Sequence, residues 1–115
     1  MKEKIIAMAI LGVAAQSVFA QPTQPDVSTL AQAFDRCMTT YAVRLTKTET
    51  ADEAIYLAAV DGCKQIEVDL TAAIRRNIPA AQSEAALTQW KEQAKPNFMS
   101  LLRRIRSDRA ARGGQ

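Results

Sequence analysis

Two stretches of the sequence decide the fold: FDRCMTTYAVRL at residues 34–45 and EAIYLAAVDGCKQI at residues 53–66. Each stretch carries one of the chain's two cysteines on an apolar stripe with helical spacing. The first stripe consists of Leu30, Phe34, Cys37, Tyr41 and Leu45, and the second of Ile55, Ala59, Cys63, Ile66, Leu70 and Ile74. If the chain reverses near Thr50, the two stripes face each other along their length and Cys37 lies opposite Cys63. The pattern therefore predicts an antiparallel helical hairpin with one disulfide across it.

The ends of these two helices are indicated by their flanking residues. Ser28 is the expected N-cap of the first helix, and Thr50 with Glu53 has the pattern of a capping box at the start of the second. Pro79 marks the end of the second helix. Gly62 lies on the apolar face, where the absence of a side chain would let the two helices approach closely.

A third helix is predicted to begin between Pro79 and Ser83 and to run antiparallel to the second. Its apolar stripe consists of Leu87, Trp90, Ala94, Phe98, Leu101 and Ile105. Pro96 lies inside this pattern and lacks an N–H, so we expect the helix to be kinked or broken there. The predicted fold is all-α: a disulfide-stapled antiparallel three-helix bundle over residues 28–112, followed by a flexible C-terminus at residues 113–115.

Residues 1–20 have the pattern of a cleaved signal peptide. Two lysines precede an apolar run at residues 5–15, and residues 18–20 (VFA) match the small-x-small pattern of a signal-peptidase site. The apolar stretch is too short for a transmembrane span, which needs about 20 residues. We expect cleavage after Ala20, an extended leader at residues 21–27, and a periplasmic or secreted protein without a transmembrane segment.

The composition excludes several kinds of enzyme. The 115 residues include 15 lysines and arginines, 12 aspartates and glutamates, two cysteines and no histidine. Without histidine the chain cannot build a Ser-His-Asp triad or a histidine-ligated metal site, and its cysteines are too far apart for a C-x-x-C motif. We therefore predict a non-enzymatic protein with no cofactor and no metal, in which the two cysteines form a structural disulfide.

Five arginines are clustered near the C-terminus: Arg103, Arg104, Arg106, Arg109 and Arg112. They replace the apolar stripe after Ile105, so the third helix is expected to extend beyond the bundle there. Cations near a helix C-terminus complement the macrodipole, which is one explanation of the cluster. The other is a contact surface for an anionic partner, such as phospholipid head groups, lipopolysaccharide phosphates or an acidic protein. Nucleic acid is not expected as a partner, because no aromatic residue is interleaved with the arginines.

Met99 and Leu102 flank the stripe of the third helix. They are either an edge of the core or part of an exposed apolar strip that could contact a partner. Two hypotheses of function follow. The first is an exported helical interaction protein with a periplasmic binding, inhibitor or chaperone-like role. The second is an envelope-surface protein that binds anionic lipid or lipopolysaccharide through the five arginines.

A frame of aromatic, alanine and cysteine residues runs through the first two helices: Phe34, Cys37, Tyr41, Ala54, Ala58, Ala59 and Cys63. This frame, over roughly residues 30–75, resembles that of small exported two-cysteine helical proteobacterial proteins of unknown function. The resemblance supports the disulfide and implies no activity. The general plan is also similar to that of the periplasmic acid-stress chaperones, which are small, exported and helical with a single disulfide.

Overall fold

The computed structural model describes residues 25–48 and 50–113, and four α-helices account for most of them. They are α1 (Val27–Leu45), α2 (Asp52–Gly62), α3 (Lys64–Asn77) and α4 (Ala80–Ala111). Within the described residues there is no β-strand, so the prediction of an all-α fold is confirmed. The predicted signal peptide and residues 21–24 of the predicted leader lie outside the described residues.

The first helix begins earlier than predicted, because Asp26 rather than Ser28 is its N-cap. Oδ1 of Asp26 accepts a 2.8 Å hydrogen bond from the backbone N–H of Thr29. This bond satisfies one of the N–H groups that have no partner within the helix, and it lowers the pKa of the Asp26 carboxyl group. Ser28 lies inside α1, where its hydroxyl accepts a 3.4 Å hydrogen bond from the side-chain amide of Gln32.

The predicted second helix is two helices, so the bundle is built from four helices rather than three. The chain leaves helical geometry at Cys63, whose φ is −105° and ψ is 12°. Gly62, the last residue of α2, contributes to the break because glycine has a low helix propensity. The apolar stripe continues in phase across the break, which is why hydrophobic spacing did not reveal it.

The break leaves the helical hairpin intact. The sulfur of Cys63 is bonded to that of Cys37 in α1, and the two Cα atoms are 6.0 Å apart. One turn further along α1, Tyr41 lies so close to Gly62 that a β-carbon there would overlap the tyrosine hydroxyl group. The predicted disulfide and the predicted close approach at Gly62 are both confirmed.

The predicted capping box at the start of α2 does not form. The N-cap is Ala51, which makes no side-chain capping bond, and the Thr50 hydroxyl pairs instead with the Thr48 hydroxyl at 2.6 Å. The Glu53 carboxylate accepts a 2.8 Å hydrogen bond from Nζ of Lys95 in α4. Glu53 therefore joins two helices instead of capping its own.

The last helix runs antiparallel to α3 and then to α2, as predicted for the third helix of the bundle. Near its start Glu84 pairs with Arg75 of α3 at 2.9 Å, and near its end Arg106 pairs with Asp52 of α2 at 2.7 Å. The helix continues through Pro96, so the alternative of a break at this proline is wrong. A proline inside a helix costs about 3 kcal/mol, and contacts on both sides of it outweigh that cost.

The main core lies where α1, α2 and the second half of α4 meet. Its buried members are Met38, Ala42, Ile55, Ala59, Cys63, Phe98 and Leu102. Further buried residues lie on α3 and on the first half of α4: Leu70, Ala73, Ser83 and Leu87. Met38 and Ala42 are outside the predicted stripe of α1. That helix packs on α4 as well as on α2 and α3, so its apolar face is broader than the sequence pattern indicated.

Candidate functional site

A groove with a volume of about 450 Å³ lies between α1 and α4. Its floor is apolar and consists of Phe34, Met38, Trp90, Ala94, Phe98 and Leu101. The residues of α4 that line the groove extend from Trp90 to Arg104, which is about 21 Å along a helix that rises 1.5 Å per residue. The groove is therefore long enough to hold several side chains of a partner in a row.

Two aromatic rings form the wall behind one part of this groove. Phe34 and Trp90 meet edge to face with their ring centroids 5.3 Å apart, and both are half-buried. Behind them lies a second cavity of about 170 Å³, which also borders Tyr56 and Val60. An aromatic pair of this kind contributes about 0.5–1.5 kcal/mol beyond the area that it buries. The wall between the two cavities thus consists of side chains, which can rotate, rather than of backbone.

The edges of the groove carry one acidic and one basic side chain. Asp35 on α1 follows Phe34, which touches Trp90, whereas Arg104 lies fourteen residues beyond Trp90 on α4. Asp35 lies midway among the residues of α1 that line the groove, and Arg104 is the last lining residue of α4. The other polar residues at its edges are uncharged: Thr39, Asn97 and Ser100.

The composition of the groove suits the binding of apolar side chains. An apolar floor with a few polar groups at its edges is the usual composition of a site that holds apolar side chains. Among residues 25–48 and 50–113 there is also no cluster of three or more histidine, cysteine or acidic side chains that could hold a metal ion.

Two of the five predicted anion-binding arginines make contacts within the protein. Besides its ion pair with Asp52, Arg106 lies 3.4 Å from the Thr50 carbonyl oxygen. Arg109 donates to the Val43 carbonyl oxygen at 2.8 Å and to the Thr46 hydroxyl group. The prediction that α4 has nothing to pack against after Ile105 is therefore wrong, because Arg106 contacts the start of α2 and Arg109 contacts the end of α1.

The other three arginines are exposed: Arg103, Arg104 and Arg112. Arg103 lies 3.4 Å from the Ser100 hydroxyl, and Arg104 belongs to the apolar groove rather than to a separate basic surface. Two of the five arginines are thus engaged within the protein, and three are exposed.

Two further basic residues lie at the same end of the bundle as Arg112. Arg109 brings the end of α4 to the end of α1, where Arg44 and Lys47 are both exposed. We call Arg44, Lys47, Arg109 and Arg112 the basic end. Sequence reasoning missed Arg44 and Lys47 because more than sixty positions separate them from the C-terminal arginines.

Met99 and Leu102 form an edge of the core rather than an exposed strip. Leu102 has no exposed surface, and Met99 is half-buried against the core cluster. Two other half-buried side chains of α4, Trp90 and Leu101, line the groove. The most exposed large apolar side chains, Val43, Leu57 and Val68, lie outside it.

Asp35 and Met38 in the groove were not identified from the sequence. A signal for Met38 existed, because Ala31, Phe34 and Met38 recur at helical spacing on one face of α1. That second stripe shares Phe34 with the stripe of Cys37 and lies beside it on the helix. Nothing in the spacing singles out Asp35.

Comparison of the chain with known protein families, with curated proteins and with solved structures finds no match. The fold and the groove therefore define a class of protein: an all-helical, disulfide-linked protein with an apolar groove between two helices. No helix in the described part of the chain is both long enough and apolar enough to cross a membrane.

Proposed function

We propose that the protein is exported, loses residues 1–20, and acts outside the cytoplasm as a non-enzymatic interaction protein. In this proposal the groove between α1 and α4 holds an apolar segment of a partner protein. The observation that carries the proposal is the groove itself, with its six apolar side chains and its aromatic wall.

Two features support export. Residues 1–20 have the charge, apolar run and small-residue pattern of a signal peptide. The bond between Cys37 and Cys63 agrees with an oxidising compartment, where disulfides form and persist.

The shape of the groove favours a helical partner segment. The lining residues of α4 span about 21 Å, which corresponds to about fourteen residues of a second helix. An amphipathic helix that lies in such a groove inserts apolar side chains at positions i, i+3, i+4 and i+7.

The experiment blocks the groove without touching the core. Ala31 is exposed at the edge of the groove, so A31R would place a long charged side chain across it. Ala85 is exposed on α4 outside the groove, which makes A85R the matched control. Trp90 is the only tryptophan in the chain and lies in the groove, so its emission reports binding there directly.

We expect a synthetic fourteen-residue amphipathic helix with leucines on one face to shift the emission of Trp90 in a saturable manner. The shift should be retained by A85R and weakened at least about tenfold by A31R. Proteins captured from an envelope extract should follow the same order and should persist at high salt, because apolar contacts are not screened. If A31R binds the peptide and captures the same proteins as A85R, the groove is not the binding surface.

A second candidate function is the binding of anionic lipid or lipopolysaccharide. The observation in its favour is the basic end, where Arg44 and Lys47 join Arg112. Truncation before residue 106 would be a poor test, because it would also remove the contacts of Arg106 and Arg109.

The better test replaces only exposed members of the basic end. The triple variant R44Q/K47Q/R112Q should lose binding to vesicles that contain anionic lipid, and the wild-type protein should lose it at high salt. Binding of the leucine-rich peptide by the same variant should be unchanged. Equal binding of anionic and neutral vesicles by the wild-type protein would rule out this second function.

A further inference from the structure

We propose that a second site in this protein binds a small neutral molecule that carries one aromatic ring. The site is the cavity of about 170 Å³ behind Phe34 and Trp90, which we call the inner cavity. All four helices contribute to its lining, with Val60 of α2 and Glu67 of α3 on the side away from the groove. This inference goes beyond the proposed function, because it does not depend on a partner in the groove.

The volume of the inner cavity suits a single ring. An apolar cavity of about 150 Å³ in an unrelated protein is large enough to hold benzene, and the inner cavity is slightly larger. Sites for drug-sized ligands have volumes of about 300–1,000 Å³. A ligand that fits the inner cavity is therefore much smaller than a lipid or a nucleotide.

The lining favours an aromatic guest over an aliphatic one. Phe34, Tyr56 and Trp90 all line the inner cavity, and aromatic rings attract one another at centroid distances of about 4.5–7 Å. The thioether of Met38 also lines it, and sulfur makes favourable contacts with aromatic rings. Two ring contacts hold these walls in place, since Phe34 meets Trp90 at 5.3 Å and Tyr56 meets Phe98 at 5.5 Å. The walls are thus formed before a ligand enters.

The polar part of the lining favours a ligand without charge. One acidic and one basic residue line the inner cavity, Glu67 and Lys91, so the lining has no net charge. Among the described residues no buried side-chain nitrogen or oxygen lacks a hydrogen-bond partner, so no unpaired polar atom requires an ordered water there. The cavity is open to solvent on one side, where a small polar substituent of the ligand can stay hydrated.

The break between α2 and α3 shapes the inner cavity. Val60 lies one turn before Cys63 and Glu67 lies one turn after it, so the cavity spans the break. Cys63 is bonded to Cys37 of α1, and this bond fixes the break relative to the first helix. Both sides of the cavity are therefore arranged about a point that the disulfide holds.

The test uses benzyl alcohol as the probe and n-heptanol, its linear counterpart with the same number of carbons, as the control ligand. The full chain is expressed with export, and the oxidised protein is purified from the exported fraction. Binding is followed by the emission of Trp90, the only tryptophan in the chain, with excitation beyond the absorption of the probe. Nuclear Overhauser effects from the ring protons of the probe to the methyl groups of Val60 locate the bound molecule.

One variant fills the inner cavity without touching the groove. Val60 lines the inner cavity but not the groove, so V60F would place a ring of the protein's own where the ligand's ring is expected. The matched control is L57F, which adds a ring on the same helix at a position that is 58% exposed and outside both spaces. Circular dichroism checks that each variant is folded.

We expect the wild-type protein to bind benzyl alcohol in a saturable manner, with a Kd between about 0.1 and 5 mM. V60F should raise this Kd at least about tenfold, and L57F should stay within about threefold of wild type. The wild-type protein should bind n-heptanol at least about fivefold more weakly than benzyl alcohol.

The inference is overturned if Trp90 shows no saturable response to benzyl alcohol, if V60F binds it as L57F does, or if n-heptanol binds equally well. Should V60F fail to fold, the wild-type protein decides: Overhauser effects to Val60 support the site, and saturable binding without them overturns it. Failure of the proposed function gives a different result. A31R blocks the groove and leaves the inner cavity open, so it should bind benzyl alcohol within about threefold of wild type whether or not any peptide binds the groove. Loss of benzyl alcohol binding in A31R would place the ring in the groove and refute the inner site.

Discussion

Loss of the disulfide should remove a large part of the stability of the fold. The bond joins Cys37 of α1 to Cys63, 26 positions further along the chain. Closing a loop of that length removes about 12 cal/mol/K of chain entropy from the unfolded state, which is about 3.5 kcal/mol at 25 °C. A small domain has a free energy of unfolding of about 5–15 kcal/mol, so the disulfide should supply about a quarter to about two thirds of it.

The assay compares urea and thermal unfolding of the oxidised protein, the reduced protein and the variant C37A/C63A. Because Cys63 has no exposed surface, reduction should be carried out on the unfolded chain before refolding. For a domain of about 100 residues, 1 kcal/mol corresponds to about 4–8 °C, so reduction should lower Tm by about 14–28 °C. The double alanine variant should be less stable still, since truncation of buried Cys63 leaves a cavity.

Two results would refute this reasoning. A fall in Tm of less than about 5 °C on reduction would mean that packing already holds the helical hairpin together in the unfolded ensemble. A reduced protein that is as stable as the double variant would mean that the sulfur of Cys63 contributes nothing to packing. A control with iodoacetamide confirms that both thiols are free in the reduced sample.

Three further predictions concern the helices. P96A should raise Tm and stabilise the fold by up to about 3 kcal/mol, because alanine restores the missing helical hydrogen bond of α4. An unchanged Tm would mean that a bend at this position is needed for packing. R109A should lower the free energy of unfolding in urea by about 1–2 kcal/mol, because the contacts with the end of α1 are lost, whereas R112A should leave it unchanged. Equal losses in the two variants would contradict the conclusion that Arg109 joins α4 to α1. The hydrogen bond from Arg75 lowers the pKa of Glu84 below its usual 4.5. The pair therefore stabilises the fold above pH 4.5, and this stabilisation is lost as the pH falls through the lowered pKa of Glu84 in the folded protein. Thermal melts from about pH 2.5 to 7 should therefore show a smaller acid-induced decrease in E84Q than in the wild-type protein.

The hairpin could be predicted from the sequence because two independent patterns agree on it. Apolar spacing fixes which face of each helix is buried, and the positions of Cys37 and Cys63 fix how the helices align. A single turn near Thr50 satisfies both conditions. The break at Cys63 does not change the face that either segment presents, so it left no trace in the apolar pattern.

The capping errors have a local cause. Asp26 and Ser28 are both good N-caps, and the choice between them depends on backbone geometry that composition does not record. At Thr50 and Glu53 the pattern is complete, but a longer-range partner, Lys95, engages the glutamate. Short motifs are overridden when a contact from another helix competes for the same side chain.

The groove was missed because it depends on how two helices distant in sequence approach each other. Apolar residues on each of the two helices can be recognised from the sequence pattern. The space between Phe34 and Leu101, however, is a property of the assembled bundle. The same holds for the contact of Arg109 with the end of α1, which turned a predicted overhang into a packed helix end.

Side-chain size explains why the groove lies between α1 and α4. The first helix meets α2 through small residues, since Ala59 is fully buried and Gly62 admits the Tyr41 ring against the backbone. Its contact with α4 includes the larger side chains of Phe34 and Trp90, which meet edge to face with their ring centroids 5.3 Å apart. Large side chains pack less evenly between α1 and α4 than the small residues do between α1 and α2. The space that remains between α1 and α4 is the groove. Phe34 and Trp90 are also residues that a partner in the groove would touch. Because the groove is already open, binding requires no separation of α1 from α4. A substitution at Trp90 should therefore change both the stability of the fold and the affinity for the partner.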